Sequence, residues 1–147
     1  MRLASHPLAW CALAVATALL AGRLEPEGWT LGPLAALGWP LLLGGLGLCL
    51  AALARMRRHR TTALPGRAAG RLVTDGVFRL SRNPIHLGFV LGTLGAACLA
   101  DSLLGLLAAP ALLLLIQCRF VRAEEAGLGQ AFGAEFEACR ARTRRWV

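Results

Sequence analysis

Four long stretches without a charged side chain divide this sequence, and they limit what it can fold into. They cover residues 3–22, 28–54, 83–100 and 102–118, which together make up 82 of the 147 residues. A helix needs about 20 apolar residues to cross the hydrocarbon core of a bilayer. The other 65 residues are divided among several segments and are too few to build a separate soluble catalytic domain. We therefore expect an all-α integral-membrane bundle of four transmembrane helices.

The same stretches divide the chain into two parts. Residues 1–54 hold two N-terminal transmembrane helices, and the first is expected to remain as a span because an even number of crossings needs it. Residues 55–147 hold a cytoplasmic loop, a transmembrane helical hairpin at about 84–118 and a C-terminal amphipathic helix. Asp101 and Ser102 alone separate the two arms of the hairpin, and Ser102 is suited to cap the second arm.

The basic residues predict the orientation of this bundle. All 16 basic residues are Arg, against 8 acidic residues, and the net charge is +8. If the four stretches all cross the membrane, fifteen of the Arg residues lie on one side and only Arg23 lies on the other. Cytoplasmic segments of membrane proteins carry such an excess. We expect a bacterial inner-membrane protein with both termini and the active site in the cytoplasm, whose Arg residues face the membrane surface and not a nucleic acid.

The residues that the chain lacks exclude several kinds of chemistry. There is no Lys and no Tyr, so lysine Schiff bases and tyrosine acids or bases are excluded. The five Cys residues have neither zinc-ligand nor disulfide spacing, and they are expected to pack as small apolar side chains. No glycine-rich dinucleotide motif, P-loop or HExxH motif occurs, which excludes a Rossmann-type cofactor site.

A polar motif stands just before the third stretch, where residues 81–88 read SRNPIHLG. Asn83 is suited to cap a helix that begins at Pro84, which places His86 in the first turn. The start of a helix favours an anion, and Arg82 stands beside this one. The alternative is an ordinary capped helix with an Arg that reaches back to the membrane surface.

A stripe of small residues continues from this motif, with Gly88, Gly92 and Ala96 four residues apart. Such a stripe favours close packing against another helix in the membrane. It also leaves room for a ligand against the backbone.

The C-terminal segment carries the second polar signal. An apolar face recurs every four residues at Leu128, Phe132 and Phe136, and Glu124 stands at its end. Glu125 points about 100° away from that face. A carboxylate on a buried face needs a partner, either an Arg or a cationic ligand. The alternative is that both acids only complement the dipole in the first turn of the helix.

Several runs in this order resemble a known superfamily: 60–65, 72–88, 124–128, 132–136 and the Arg-rich end 140–146. Together they resemble the isoprenylcysteine carboxyl methyltransferases and phospholipid methyltransferases, in their short bacterial-type form. The likeness covers about residue 55 to the C-terminus. It implies an integral-membrane enzyme that transfers a methyl group from S-adenosyl-L-methionine to a lipophilic small molecule or a lipid.

The resemblance also implies a site. By position, the residues that would line the cofactor pocket are Gly70, Arg71, Leu72, Val73 and Phe78. The residues that would form its wall at the helix start are Asn83, Pro84, Ile85 and His86. Glu124 would close the pocket, and the charge of Arg82 at the helix start suits the cofactor carboxylate. In the carboxyl methyltransferases an Arg one turn before the Glu pair binds the substrate. Arg119 is one residue away from that position, and Arg122 is the alternative candidate for the same role. His86 or Glu125 would serve as the base for an amine acceptor.

The chain departs from the superfamily at several positions. The superfamily usually has Tyr at the positions of His86, Gly127, Phe136 and Cys139, and Asn83 replaces a His of the prenylcysteine enzymes. The acceptor therefore stays open among a carboxylate, an amine and a thiol. The alternative function is that of a non-enzymatic membrane protein whose Arg-rich loop binds anionic lipid or a protein partner.

Overall fold

The computed structural model describes residues 6–61 and 70–147, and within these ranges every regular element is helical. The six α-helices are α1 (Pro7–Leu24), α2 (Gly38–Arg58), α3 (Pro84–Leu99), α4 (Ala108–Ile116), α5 (Arg122–Phe132) and α6 (Ala134–Arg142). The predicted all-α class is thereby confirmed. The predictions that concern Arg2, Arg67 and residues 62–65 lie outside the described residues.

Three helical stretches of the described chain are long and apolar enough to cross a membrane. They are Pro7–Leu24, Gly32–Arg58 and Gly105–Phe132. The third predicted span, α3, has 16 residues, which corresponds to about 24 Å at 1.5 Å per residue. The membrane-spanning character of the bundle is confirmed, and the fourth crossing stays a prediction.

The second arm of the hairpin is longer than the sequence predicted. It starts with a 3₁₀ turn at Gly105–Leu107, continues as α4, widens into a π-helical turn at Gln117–Val121 and runs on as α5. The helix thus continues past residue 118, and the end of the crossing near that residue stays a prediction. The helix stops at Gly133, whose φ of 47° is a left-handed conformation. The predicted C-terminal amphipathic helix is therefore divided into α5 and α6.

The short helix α3 lies at the centre of the bundle, where it contacts α1, α2 and α4. It lies closest to α2. A Cβ atom on Gly45 would lie 2.6 Å from the carbonyl oxygen of Gly88, and one on Gly88 would lie 2.6 Å from the carbonyl oxygen of Gly45. Only glycine permits this approach, which confirms the packing interpretation of the stripe at Gly88.

The outward surface of the bundle is rich in leucine. More than half of the side-chain surface is exposed at Leu13, Leu20, Leu43, Leu46 and Leu114. The contact surfaces between the helices contain small residues such as Ala18, Ala52 and Ala97, which are fully buried. Large apolar side chains outside and small ones between the helices are the arrangement that a lipid environment favours.

Glu25 holds the loop ends together at the end of the bundle opposite the polar motifs. Its carboxylate accepts hydrogen bonds from the Ser102 hydroxyl and from the backbone N–H groups of Leu103 (3.0 Å) and Leu104 (2.8 Å). Ser102 in turn accepts a hydrogen bond from the N–H of Gly105 at 2.7 Å, as its predicted capping role requires. These bonds, led by the one from Ser102, hold the pKa of Glu25 below its usual range.

We expect Glu25→Gln to lower the thermal unfolding midpoint of the protein in detergent by about 2–4 °C at neutral pH. A carboxyl whose pKa is lowered by folding stabilises the protein above its ordinary pKa, here 4.5, and this stabilisation is lost as the pH falls through the lowered value. The difference between wild type and variant should therefore shrink at acid pH. Glu27→Gln, at a neighbouring exposed acid, is the control and should melt like wild type at every pH. A constant difference across the pH range would contradict the assignment.

Candidate active site

The polar end of the bundle is organised first by Asp75, which joins residues 70–82 to the end of α2. Its carboxylate forms an ion pair with Arg55 at 3.0 Å and a hydrogen bond with His59 at 3.0 Å. Desolvation acts to raise the pKa of Asp75, but the hydrogen bond with His59 and the charge of Arg55 hold it below its usual range. Asp75 is followed by Gly76, whose φ of 58° makes the turn into the 3₁₀ segment Gly76–Arg79.

The helix α3 begins at the predicted residue but lacks the predicted side-chain capping bond. The helix begins at Pro84, and the carbonyl of Asn83 accepts the N–H of Leu87 at 2.9 Å. The side chain of Asn83 makes no cap bond. Its amide nitrogen donates to the carbonyl of Arg145 at 3.2 Å instead. The predicted side-chain cap is therefore wrong, and the Asn83 side chain instead joins the start of α3 to the returning C-terminal segment.

Arg82 and Glu125 form an ion pair that links the start of α3 to α5. The Arg82 guanidinium lies 2.9 Å from the Glu125 carboxylate, and only 11% and 12% of these side chains is exposed. Arg145 approaches the same carboxylate at 2.6 Å, and this contact raises the pKa of Arg145. Two guanidinium groups thus share one carboxylate. Because Glu125 is held by both, the geometry favours a structural role over the predicted role as a base.

His86 and Glu124 face each other beside this ion pair. The Nδ1 atom of His86 lies 4.0 Å from the Glu124 carboxylate. This distance is too long for a hydrogen bond but suits an ion pair once the imidazole is protonated. The His86 side chain is 9% exposed and meets the ring of Phe89 edge-on, whereas 39% of the Glu124 side chain is exposed. The structure therefore brings a predicted wall residue and the predicted closing carboxylate together.

A cavity of about 90 Å³ lies further along α5, where Leu128, one helical turn after Glu124, lines it. Of the predicted cofactor residues, it is lined by Arg71, Leu72, Val73, Phe78 and Arg82. Sequence reasoning did not assign the five other lining residues Met56, Thr61, Leu128, Phe136 and Cys139 to the cavity. The repeat of apolar residues at four-residue spacing did signal Leu128 and Phe136, which follow Glu124 along one face.

Two unsatisfied polar atoms mark this cavity. Among the described residues, the buried side-chain atoms without a hydrogen-bond partner are Thr61 Oγ1 and Arg82 Nε, and both residues line the cavity. A buried donor without a partner costs free energy, which a ligand that accepts its hydrogen bond would recover. The cavity therefore has the properties of a ligand site with apolar walls and two polar contacts.

Other predicted residues lie outside the cavity. The predicted cofactor residues that do not line it are Gly70, Asn83, Pro84, Ile85, His86 and Glu124. Arg119 is exposed on the π-helical turn, and no described residue forms an ion pair with it. The structure therefore does not bring Arg119 to the pair of His86 and Glu124.

The returning C-terminal segment is the part of the site that sequence reasoning did not assign. The carbonyl of Arg145 accepts hydrogen bonds from the Ser81 hydroxyl (3.0 Å) and from Asn83, and the carbonyl of Arg144 accepts the N–H of Arg82. The indole nitrogen of Trp146 donates to the Gln117 side chain at 2.8 Å. Carbonyl groups carry no sequence signal, which is why these contacts could not be found from composition or spacing.

The described fold and its site define a class: an all-helical membrane protein whose polar chemistry is collected at one end around a small ligand cavity. The sequence profile of the phospholipid methyltransferases matches residues 34–135, well over half of the chain. The chain therefore belongs to the phospholipid methyltransferase family, and the predicted resemblance is confirmed. Searches of curated proteins and of solved structures found no match.

The family is one of methyltransferases that act on membrane lipid-type substrates and generally use S-adenosylmethionine. The residues of the cavity fit the chemistry of that cofactor. Phe78, Leu72 and Val73 offer apolar and aromatic surface for an adenine ring, and the buried Nε of Arg82 offers an unused donor for a carboxylate.

Proposed function

We propose that this protein transfers a methyl group from S-adenosyl-L-methionine to the amine of a membrane phospholipid. The observation that carries the proposal is the cavity with two unsatisfied buried polar atoms, lined by Leu128 one helical turn after Glu124, which faces His86. When bound, the cofactor supplies a methyl carbon that is already activated by a sulfonium. The protein then has to align donor and acceptor and exclude water, effects worth about 7–11 kcal/mol in favourable cases.

His86 is proposed as the base that deprotonates the acceptor amine, because an ammonium has no lone pair for the attack. Its ring is buried, so a proton that it accepts must be stabilised from within the protein. The carboxylate of Glu124, 4.0 Å away, is the group placed to do so. Glu124 is thus assigned as a positioning residue, and Arg82 and Phe78 as cofactor contacts.

The charge of Glu124 favours an amine over the other acceptors. A protonated amine is attracted to this carboxylate while it approaches His86, whereas a carboxylate acceptor would be repelled. No Arg or Lys side chain forms an ion pair with Glu124 in the described part of the chain, so its charge is available to a cationic substrate. This argument selects the amine from the three acceptors that the sequence leaves open.

We further propose that the site faces the cytoplasm and that α3 crosses the membrane as the fourth span. The excess of Arg on the side of the site supports this orientation. A helix shorter than its neighbours can span when it is enclosed by them, and the inner contacts of α3 with α1, α2 and α4 support that placement.

The direct test incubates membranes that contain the protein with methyl-labelled S-adenosylmethionine and identifies the labelled product by mass spectrometry. We expect the label on the amine of a phospholipid. The alternative, a non-enzymatic protein that binds anionic lipid or a partner through its Arg-rich loop, predicts no labelled product. Label on a carboxyl or thiol group would retain the enzyme but overturn the proposed acceptor.

Cofactor binding can be tested at Thr61, because its buried hydroxyl lines the cavity without a partner. We expect Thr61→Val, which keeps the shape and removes the hydroxyl, to weaken S-adenosylmethionine binding about three- to tenfold, the value of one hydrogen bond. Thr74→Val, at an exposed residue next to the cavity wall, is the matched control and should bind like wild type. Isothermal titration in detergent measures both. Equal affinities for the two variants would remove Thr61 from the site.

A further inference from the structure

A second depression lies on the other face of α5, outside the proposed active site. It has a volume of about 290 Å³ and is lined by three guanidinium groups, those of Arg122, Arg140 and Arg145. Ala126 and Gly129, three residues apart on α5, also line it, and their small side chains leave the space open. Glu125, Glu137 and Phe136 complete the lining, and we refer to these eight residues as the arginine groove.

The arginine groove carries more positive charge than its carboxylates neutralise. Arg140 pairs with Glu137 at 2.9 Å, and Arg145 shares Glu125 with Arg82. Arg122 is exposed, and within the described ranges it forms no ion pair. Three guanidinium groups and two carboxylates therefore line the groove, and Arg122 is the guanidinium left without a carboxylate. A surplus of guanidinium donors around an open depression is suited to a phosphate group, which accepts several charge-assisted hydrogen bonds at once.

The position of the groove identifies the source of the phosphate. Arg122 stands only four residues after the last charge-free stretch, which ends at Cys118, and the helix runs between them without a break. With the orientation proposed above, this end of the groove lies at the membrane surface, beside the headgroups of the cytoplasmic leaflet. The other end is formed by α6. A lipid headgroup can reach such a site without leaving the membrane.

We propose that the arginine groove binds the phosphate headgroup of an anionic membrane lipid, at a site separate from the reacting centre. Glu124 lies on the same face of α5 as Leu128, which lines the cavity, whereas the groove lies on the face of Glu125. The two sites share the buried ring of Phe136, which lines both. A lipid bound in the groove would therefore contact Phe136, which also lines the cofactor cavity, but it would not be the methyl acceptor.

The experiment measures lipid retention by the purified protein in a neutral detergent, with native mass spectrometry of phosphatidylglycerol and phosphatidylcholine adducts. The wild-type protein should retain phosphatidylglycerol in preference to phosphatidylcholine. Arg122→Gln/Arg140→Gln should weaken that binding about tenfold, the value of one lost charge-assisted hydrogen bond or more. Arg57→Gln/Arg58→Gln removes the same charge from exposed residues of α2 and should change it by less than about twofold. Arg122→Lys, which keeps the charge, should retain most of the binding.

Three results would overturn the proposal. The first is equal loss in the two double variants, which would mean that the overall charge and not the groove attracts the lipid. The second is undiminished binding in Arg122→Gln/Arg140→Gln. The third is displacement of phosphatidylglycerol by inorganic phosphate, but not by chloride of matched ionic strength, at millimolar concentration, since the groove would then take soluble phosphate. Methyl transfer is not the readout in any arm, so failure here is distinguishable from failure of the proposed function.

Discussion

Glu125→Gln is expected to destabilise the folded protein by about 3 kcal/mol, because it leaves two guanidinium groups without their shared carboxylate. Arg82 is 11% exposed and cannot regain full hydration where it lies. Arg145, which is 33% exposed, can regain part of it, so the expected loss is at the lower end of the range for buried ion pairs. Equilibrium unfolding in mixed detergent micelles measures the change.

The matched control for this prediction is Glu137→Gln on α6. Its partner Arg140 is at a similar distance, 2.9 Å, but 62% and 48% of the two side chains is exposed. An exposed pair of this kind contributes less than about 1 kcal/mol. If both variants unfold at the same denaturant concentration, the ion pair of Glu125 does not hold the C-terminal segment over α3. Loss of protection in residues 143–147, measured by hydrogen exchange, would locate the effect.

His86→Asn is expected to lower the rate of methyl transfer by about 10²- to 10⁴-fold, the usual contribution of a general base. The substitution keeps a polar side chain of smaller size at the start of α3 but removes the group that accepts the proton. The affinity for S-adenosylmethionine should change little, because His86 does not line the cavity. Single-turnover rates and titration of cofactor binding separate the two effects.

The pH dependence distinguishes a base from a structural residue. A higher pH deprotonates the amine in solution, so the deficit of His86→Asn should shrink as the pH rises. Glu124→Gln should show a smaller deficit of the same kind, since it removes only the group that stabilises the protonated imidazole. His6→Asn is the control, because His6 precedes α1 without a side-chain cap bond. A deficit in His86→Asn that stays constant with pH would argue against the proposed base.

Much of the fold follows from features that can be read along the chain. The charge-free stretches predicted α1, α2 and the hairpin, and the Asn83-Pro84 pair predicted the residue at which α3 begins. These predictions succeeded because the length of an apolar run and the start of a helix depend on residues that are adjacent in the sequence. The helix of the second arm runs on to Phe132, past the predicted end of the crossing near residue 118, because nothing before Gly133 breaks it.

The site was predicted less completely than the fold. Arg71, Leu72, Val73 and Phe78, which the resemblance assigns to the cofactor pocket, line one cavity together with Arg82, and their role in binding the cofactor stays a prediction. Arg119 does not reach the pair of His86 and Glu124. The direction of a side chain at the end of a span depends on local helix geometry, and the π-helical turn at Gln117–Val121 adds a rotation that a regular helical repeat does not include.

The sequence by itself determined that this protein is an all-helical membrane protein, that its polar chemistry is collected beside the last two apolar stretches, and which family it resembles. The tertiary structure alone decided how its charges are paired. Glu125 joins Arg82 and Arg145, which are 43 and 20 residues away along the chain. With 16 Arg residues and 8 acids, many pairings are consistent with the composition. Only the rotation of α5 against α3 and the return of the C-terminal segment select one, because ion pairs form between groups that are close in space.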